Sequence, residues 1–113
     1  MARRKKPPSP LEGRWPIVSM SAWDEDYLHE EEPAFIEFTR DQGGRFHFGN
    51  VQGDMDCRET TRDGLPAVEF SWEGNAEMDD LNGRGWAVLK GGELHGMLFF
   101  HQGDESDFVA RKE

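Results

Sequence analysis

Past residue 33 the chain alternates apolar and polar positions in short runs, and nearly every run is closed by glycine or an acidic turn. Residues 34–40 (AFIEFTR), 45–51 (RFHFGNV), 55–61 (MDCRETT), 66–72 (PAVEFSW), 84–90 (RGWAVLK), 93–101 (ELHGMLFFH) and 106–111 (SDFVAR) each carry the two-residue period of a strand with one buried face. Residues 15–20 (WPIVSM) predict one more strand at the start, with Pro16 confining it to an edge or to its first residues. The punctuation is Gly43-Gly44, Gly53, Asp63-Gly64, Gly74, Gly91-Gly92 and Gly103, in which Asp-Gly and Gly-Gly are strong hairpin signals. Turns this short force each strand to lie antiparallel to its chain neighbour. The predicted fold is all-β: an eight-stranded antiparallel meander, closed or nearly closed into a barrel. Closure removes the exposed edges that a flat meander would leave. The alternative is a curved open sheet with Trp23 and Tyr27 covering one end.

The alternation also assigns faces. Phe46 and Phe48 point one way and His47 the other. Val68, Phe70 and Trp72 form an inner face, as do Trp86 with Val88, and Leu94, Leu98 and Phe100. Met97 and Phe99 fall on the opposite face from Leu98 and Phe100, so that strand is apolar on both sides. Either the segment around Trp23 and Tyr27 covers them, or they mark a partner-binding patch. Residues 21–33 (SAWDEDYLHEEEP) break the strand pattern. Ser21 is placed to cap a helical turn, with Asp24 and Glu25 at its positive end, Trp23, Tyr27 and Leu28 on one face, and Pro33 as its stop.

Composition explains how so polar a chain folds. Hydrophobic residues make up 35%, and 32% are charged, so the core must be built from few, large side chains. Eight Phe, four Trp and one Tyr supply them, each burying roughly 150–250 Å². The 113 residues suit a single domain, residues 13–113, preceded by a disordered basic arm, residues 1–12, in which Pro7, Pro8 and Pro10 block pairing. Arg3, Arg4, Lys5 and Lys6 put four positive charges in that arm, while the other 107 residues hold 9 Lys and Arg against 23 Asp and Glu. A body this acidic repels the phosphates of nucleic acid and attracts basic partners. No apolar run approaches a membrane span, and the basic start lacks the apolar stretch of a secretory signal. The expected setting is cytoplasmic.

Gly13-Arg14-Trp15 opens the first strand and Arg111 lies near the end of the last. This pairing resembles the calycin group of lipocalins, fatty-acid-binding proteins and avidins, in which a Gly-x-Trp begins the first strand and a basic residue of the last strand packs over the tryptophan. The resemblance implies a closed barrel with Trp15 beneath Arg111. It also implies a small ligand at the barrel mouth, although strands of about six residues place only about three side chains inward, and many of these are aromatic.

Candidate chemistry is sparse. The lone Cys57 shares a face with Met55 and reads as a buried apolar residue; it permits no internal disulfide. His95 and His101 lie too far apart on one strand for a shared metal, and a meander does not bring His47 to them. Asp79, Asp80 and Asn82 resemble an oxygen-ligand loop but lack the spacing of a calcium-binding EF-hand. No nucleophile elbow or phosphate-binding glycine loop is present, so no cofactor, metal or catalytic residue is expected. A minor enzyme using Asp or Glu with His47, His95 or His101 at a rim is the least favoured reading. The favoured one is a non-enzymatic protein that binds a basic partner surface, in the manner of an immunity-type inhibitor or a nucleic-acid mimic. Its expected contacts are Asp24, Glu25, Asp26, Glu30, Glu31 and Glu32, with Trp23, Tyr27, Met97 and Phe99 as apolar anchors.

Overall fold

The computed structural model describes residues 9–112. The strands are β1 (Gly13–Met20), β2 (Phe35–Phe38), β3 (Gly43–Phe48), β4 (Val51–Arg62), β5 (Leu65–Ala76), β6 (Asp79–Lys90), β7 (Glu93–Phe100) and β8 (Glu105–Arg111). Each pairs antiparallel with its chain neighbour, and β1 also pairs with β8, so the meander closes into a barrel. A four-residue helix, α1 (Glu25–Leu28), lies between β1 and β2. Pro16 is not on an edge. It ends the half of β1 that pairs with β2, and from Ile17 onward β1 pairs with β8, so a missing N–H at that hand-over interrupts little.

The interior is apolar and largely aromatic. Phe46, Phe48, Val68, Phe70, Trp72, Leu94 and Leu98 are buried as the alternation predicts, together with Trp15, Ile17, Leu28, Ile36, Phe38 and Phe108. Trp72 stands at the centre, with its ring edge-on to Phe46 at 5.1 Å and to Phe100 at 5.2 Å between centroids. Such pairs add about 0.5–1.5 kcal/mol beyond the burial of their area.

Trp86 and Val88 depart from the predicted core. The β5–β6 register sets Val68 opposite Ala87, Phe70 opposite Gly85 and Trp72 opposite Gly83. The inward side of β6 therefore carries glycine and alanine, and Trp86 faces outward with the Arg62 guanidinium 3.8 Å from its ring centre. The cause is space. A Cβ at Gly85 would sit 2.5 Å from the Phe70 ring. Gly96 faces Phe108 and Gly53 faces Phe46 in the same way. Small inward residues make room for the large rings of neighbouring strands.

The same geometry corrects three predicted turns. Gly53 and Gly74 lie inside β4 and β5, and the loose stretch before Gly83 is the start of β6. The chain reverses at residues 49–50 and 77–78 instead, with Phe48 paired to Val51 and Ala76 to Asp79. Residues 9–12, assigned to the arm, pack onto the barrel. There the Glu12 N–H donates to the Ser9 carbonyl at 3.1 Å and Leu11 is buried. Residues 1–8, with the four basic residues of the arm, lie outside the described residues.

Candidate functional site

Alternating strand directions sort the loops between two ends. Residues 21–34, 49–50, 77–78 and 101–104 form one end, the mouth; residues 9–12 and the turns after β2, β4 and β6 form the other, the base. Charge follows this division. The mouth loops carry Asp24, Glu25, Asp26, Glu30, Glu31 and Glu32, joined by Glu77 and Asp104, and none of the mouth loops contains Lys or Arg. Arg14, Arg40, Arg62, Lys90, Arg111 and Lys112 all lie on the base half, while Arg45, midway along β3, lines a groove with Glu32 of the mouth.

At the base the acidic residues share the surface with these cations, and three glutamates are ion-paired. Glu12 pairs with Arg40 at 3.6 Å, Glu37 with Arg45 at 3.2 Å and Arg14 at 3.4 Å, and Glu93 with Arg111 and with His95. A hydrogen bond from Arg45 holds the Glu37 carboxyl below its usual range against the opposing effect of burial, and Arg14 adds to the lowering. A hydrogen bond from Arg111 does the same for Glu93. Both carboxyls are thus more acidic folded than unfolded. Their stabilisation is present at neutral pH and is lost as pH falls below the ordinary glutamate value of about 4.3. At the mouth, among the described residues, only Glu31 lies against a basic side chain, His47 Nε2 at 3.4 Å.

The mouth segment is held by a few specific contacts. Asp24, rather than Ser21, caps α1 by accepting the Tyr27 N–H at 3.0 Å. Ser21 Oγ instead accepts from the Asp107 N–H at 3.1 Å, tying the segment to β8. The helix stops at Leu28, well before Pro33, and His29 Nδ1 accepts the Ala34 N–H at 3.0 Å. Leu28 is fully buried. Trp23 and Tyr27 cap the barrel: the Trp23 ring lies 5.0 Å from Phe48 and 5.8 Å from Phe100, and the Tyr27 hydroxyl donates to Asn50 Oδ1 at 2.7 Å. Both keep part of their surface in solvent. They do not cover Met97 and Phe99, which are half-buried on the outer wall beside outward-facing Trp86. The expected contacts therefore divide between two surfaces, the acidic mouth and the outer wall.

His47 is 9% exposed on the outer side of β3, and its Nδ1 has no partner among the described residues. It helps line an open groove of about 330 Å³ with Glu32, Arg45, Gln52 and Asn75. Asp80 lies within β6 rather than in a loop, and among the described residues no group of three or more His, Cys, Asp or Glu is placed to hold a metal ion. Burial pushes the Cys57 thiol up to about 12, with the charges of Asp56 and Glu59 adding to the shift. Cys57 is expected to resist thiol-modifying reagents at mildly alkaline pH in the folded protein and to react at once in denaturant. Rapid labelling of the native state would contradict its burial.

The inside of the barrel is full. The internal void bounded by Ile17, Ile36, Phe46, Phe48, Leu98 and Phe108 is about 10 Å³, at most the space of one water. Trp15 closes the base, donating from Nε1 to the Leu11 carbonyl at 2.9 Å. The cation over its ring is Lys112, at 4.8 Å, and not Arg111, which is held by Glu93. Alternation explains the shift: Ala110 points inward and Arg111 outward, so the next residue reaches the end of the barrel.

The fold and its charge layout define a small, solid, antiparallel eight-stranded barrel with an acidic mouth and a base of mixed charge. No protein-family model, curated protein or solved structure matches the chain. No helix among the described residues is long and apolar enough to cross a membrane.

Two features escaped the sequence reading. Met78 is 96% exposed at the tip between β5 and β6, in a stretch that carries no strand alternation. Trp86 gives the outer wall its largest apolar side chain, but its spacing matches that of a core residue.

Proposed function

We propose that the protein acts as a non-enzymatic interaction module whose mouth receives a basic segment of a partner protein. The observation that carries this reading is the segregation of charge: the loops of one end carry eight carboxylates and no Lys or Arg, while the other end mixes both signs and pairs Glu12, Glu37 and Glu93. Crowded like charges repel and lower stability, and a basic partner would relieve that repulsion. Asp24, Glu25, Asp26, Glu30, Glu31 and Glu32 supply the attraction, and the exposed parts of Trp23 and Tyr27 supply flat apolar contact beside it. Asp24 acts partly through shape, since it also caps α1. The filled interior favours this reading over a small ligand held inside the barrel, as the calycin likeness would imply.

The test is fluorescence anisotropy of a labelled Arg/Lys-rich peptide. Binding is expected at low salt and should weaken steeply as salt rises. Exposed charge contacts contribute about 0.2–1 kcal/mol each, so changing Glu30, Glu31 and Glu32 together to Gln is expected to weaken binding about tenfold. Changing Glu12 and Glu59, at the base, to Gln should leave binding unchanged. A wild-type protein that ignores the peptide at low salt would end this proposal.

A further inference from the structure

The outer wall of β4 to β7 holds an open groove of about 550 Å³. Trp86 and Phe99 form its apolar side, and Met97 stands directly opposite Trp86 in the β6–β7 register. Arg58 and Arg84 line it, and the Arg62 guanidinium lies over the Trp86 ring. Among the described residues, these three arginines take part in no ion pair. Free guanidiniums around exposed aromatic surface suit an occupant that is both acidic and apolar.

The chain itself presents such an element. Met78 is almost wholly exposed at the β5–β6 tip, with Glu77 before it and Asp79 and Asp80 after it. Glu77 has φ +55°, a left-handed conformation that a non-glycine residue adopts at some cost. The fold thus holds one apolar side chain out in water, ringed by carboxylates. The tip cannot reach the groove of its own barrel, because both belong to the same strands. Trp86 lies seven residues along β6 from Asp79, roughly 23 Å at the rise of a strand.

We propose that the tip at residues 77–80 of one copy docks in the outer groove of a second copy. Met78 packs against Trp86 and Phe99, where a flexible thioether suits aromatic edges. The tip carboxylates meet Arg58 and Arg84. Asp56 and Glu69 also line the groove, so they repel a misplaced carboxylate and set the register of the incoming tip. Tip and groove are different surfaces, so the contact is heterologous and adds copies head to tail. A hairpin tip covers far less than the roughly 1,600 Å² of a standard interface; the association is therefore weak and depends on concentration. This inference does not rest on the mouth binding a basic partner.

Sedimentation velocity of the full chain at physiological ionic strength tests it, since salt there screens the net repulsion between copies. The wild type is expected to sediment faster as concentration rises. Met78→Ser removes the anchor and Arg84→Glu reverses the rim, and each alone should remain monomeric with an unchanged circular dichroism spectrum. Mixed together they should form one-to-one dimers and nothing longer, because the first supplies an intact groove and the second an intact tip. A wild type that is monomeric at every concentration overturns the proposal. So does association of Met78→Ser as strong as wild type, or a mixture that stays monomeric. Met78→Ser should still bind the basic peptide of the preceding test, so the two proposals fail separately.

Discussion

Replacing Gly83 with alanine is expected to lower stability by about 3 kcal/mol, read as a fall in the urea midpoint. A Cβ at this position would lie 1.8 Å from the Phe99 carbonyl oxygen and 2.9 Å from Trp72 Nε1. The carbonyl belongs to the backbone of β7 and cannot turn aside without disturbing the β6–β7 ladder, in which Gly83 pairs with Phe100. Gly64 is the informative comparison. It has φ +77° at a hairpin turn, and a Cβ there would meet nothing within 4 Å. Gly64→Ala is strained but not crowded, and should lose only about 1 kcal/mol. Equal losses at the two sites would show that β6 and β7 are not packed as closely as the geometry states.

Trp72→Ala is the second large effect, with an expected loss of about 3–5 kcal/mol. The side chain is 3% exposed, meets Phe46 and Phe100 edge-on, and donates from Nε1 to the Phe99 carbonyl at 3.2 Å. Its removal empties the centre of the barrel and leaves that carbonyl without its indole partner. Small domains are stable by about 5–15 kcal/mol in total, so the variant should melt far earlier or fail to accumulate. Trp72→Phe keeps most of the ring packing and loses the hydrogen bond, at about 1 kcal/mol. Thermal melts of the two variants separate packing from hydrogen bonding. A Trp72→Ala variant that melts close to wild type would mean that the ring stack is not the core on which folding depends.

Strand number, strand order and most of the core were legible because each depends on local pattern. The Asp63-Gly64 and Gly91-Gly92 turns fix two hairpins by backbone preference alone, and the alternation in residues 66–72 fixes which side of β5 is buried. Glycines inside strands were the main source of error. Gly53 and Gly74 resemble turn residues, because acidic or amide neighbours that face water around a strand look the same in sequence as those of a turn. Their actual role is to face a ring or a backbone segment of a neighbouring strand, which depends on pairing register. Trp86 was misplaced for the same reason. Both sides of β6 were open to it, and the rings of Phe70 and Trp72 on β5 decided the matter by occupying the inner one.

The site was legible as charge but not as arrangement. The runs at residues 24–26 and 30–32 are plain in the sequence, as is their lack of basic neighbours. Their gathering at one end with Glu77 and Asp104 follows only from the up-and-down course of eight strands. The pairing of Glu37 with Arg14 and Arg45 likewise needs three strands side by side. Trp23 and Tyr27 were recognised as a pair, while the surface that they cover, the end of the barrel over Phe48, depended on where the chain closed.

By itself the sequence determined that this chain forms short antiparallel ribbons around aromatic residues, because side-chain alternation and turn chemistry act over a few residues at a time. Tertiary structure decided which residue faces which. Closing the ring sets the register of every pair at once, and register places glycine beneath Phe70, Lys112 over Trp15 and Trp86 on the outer wall.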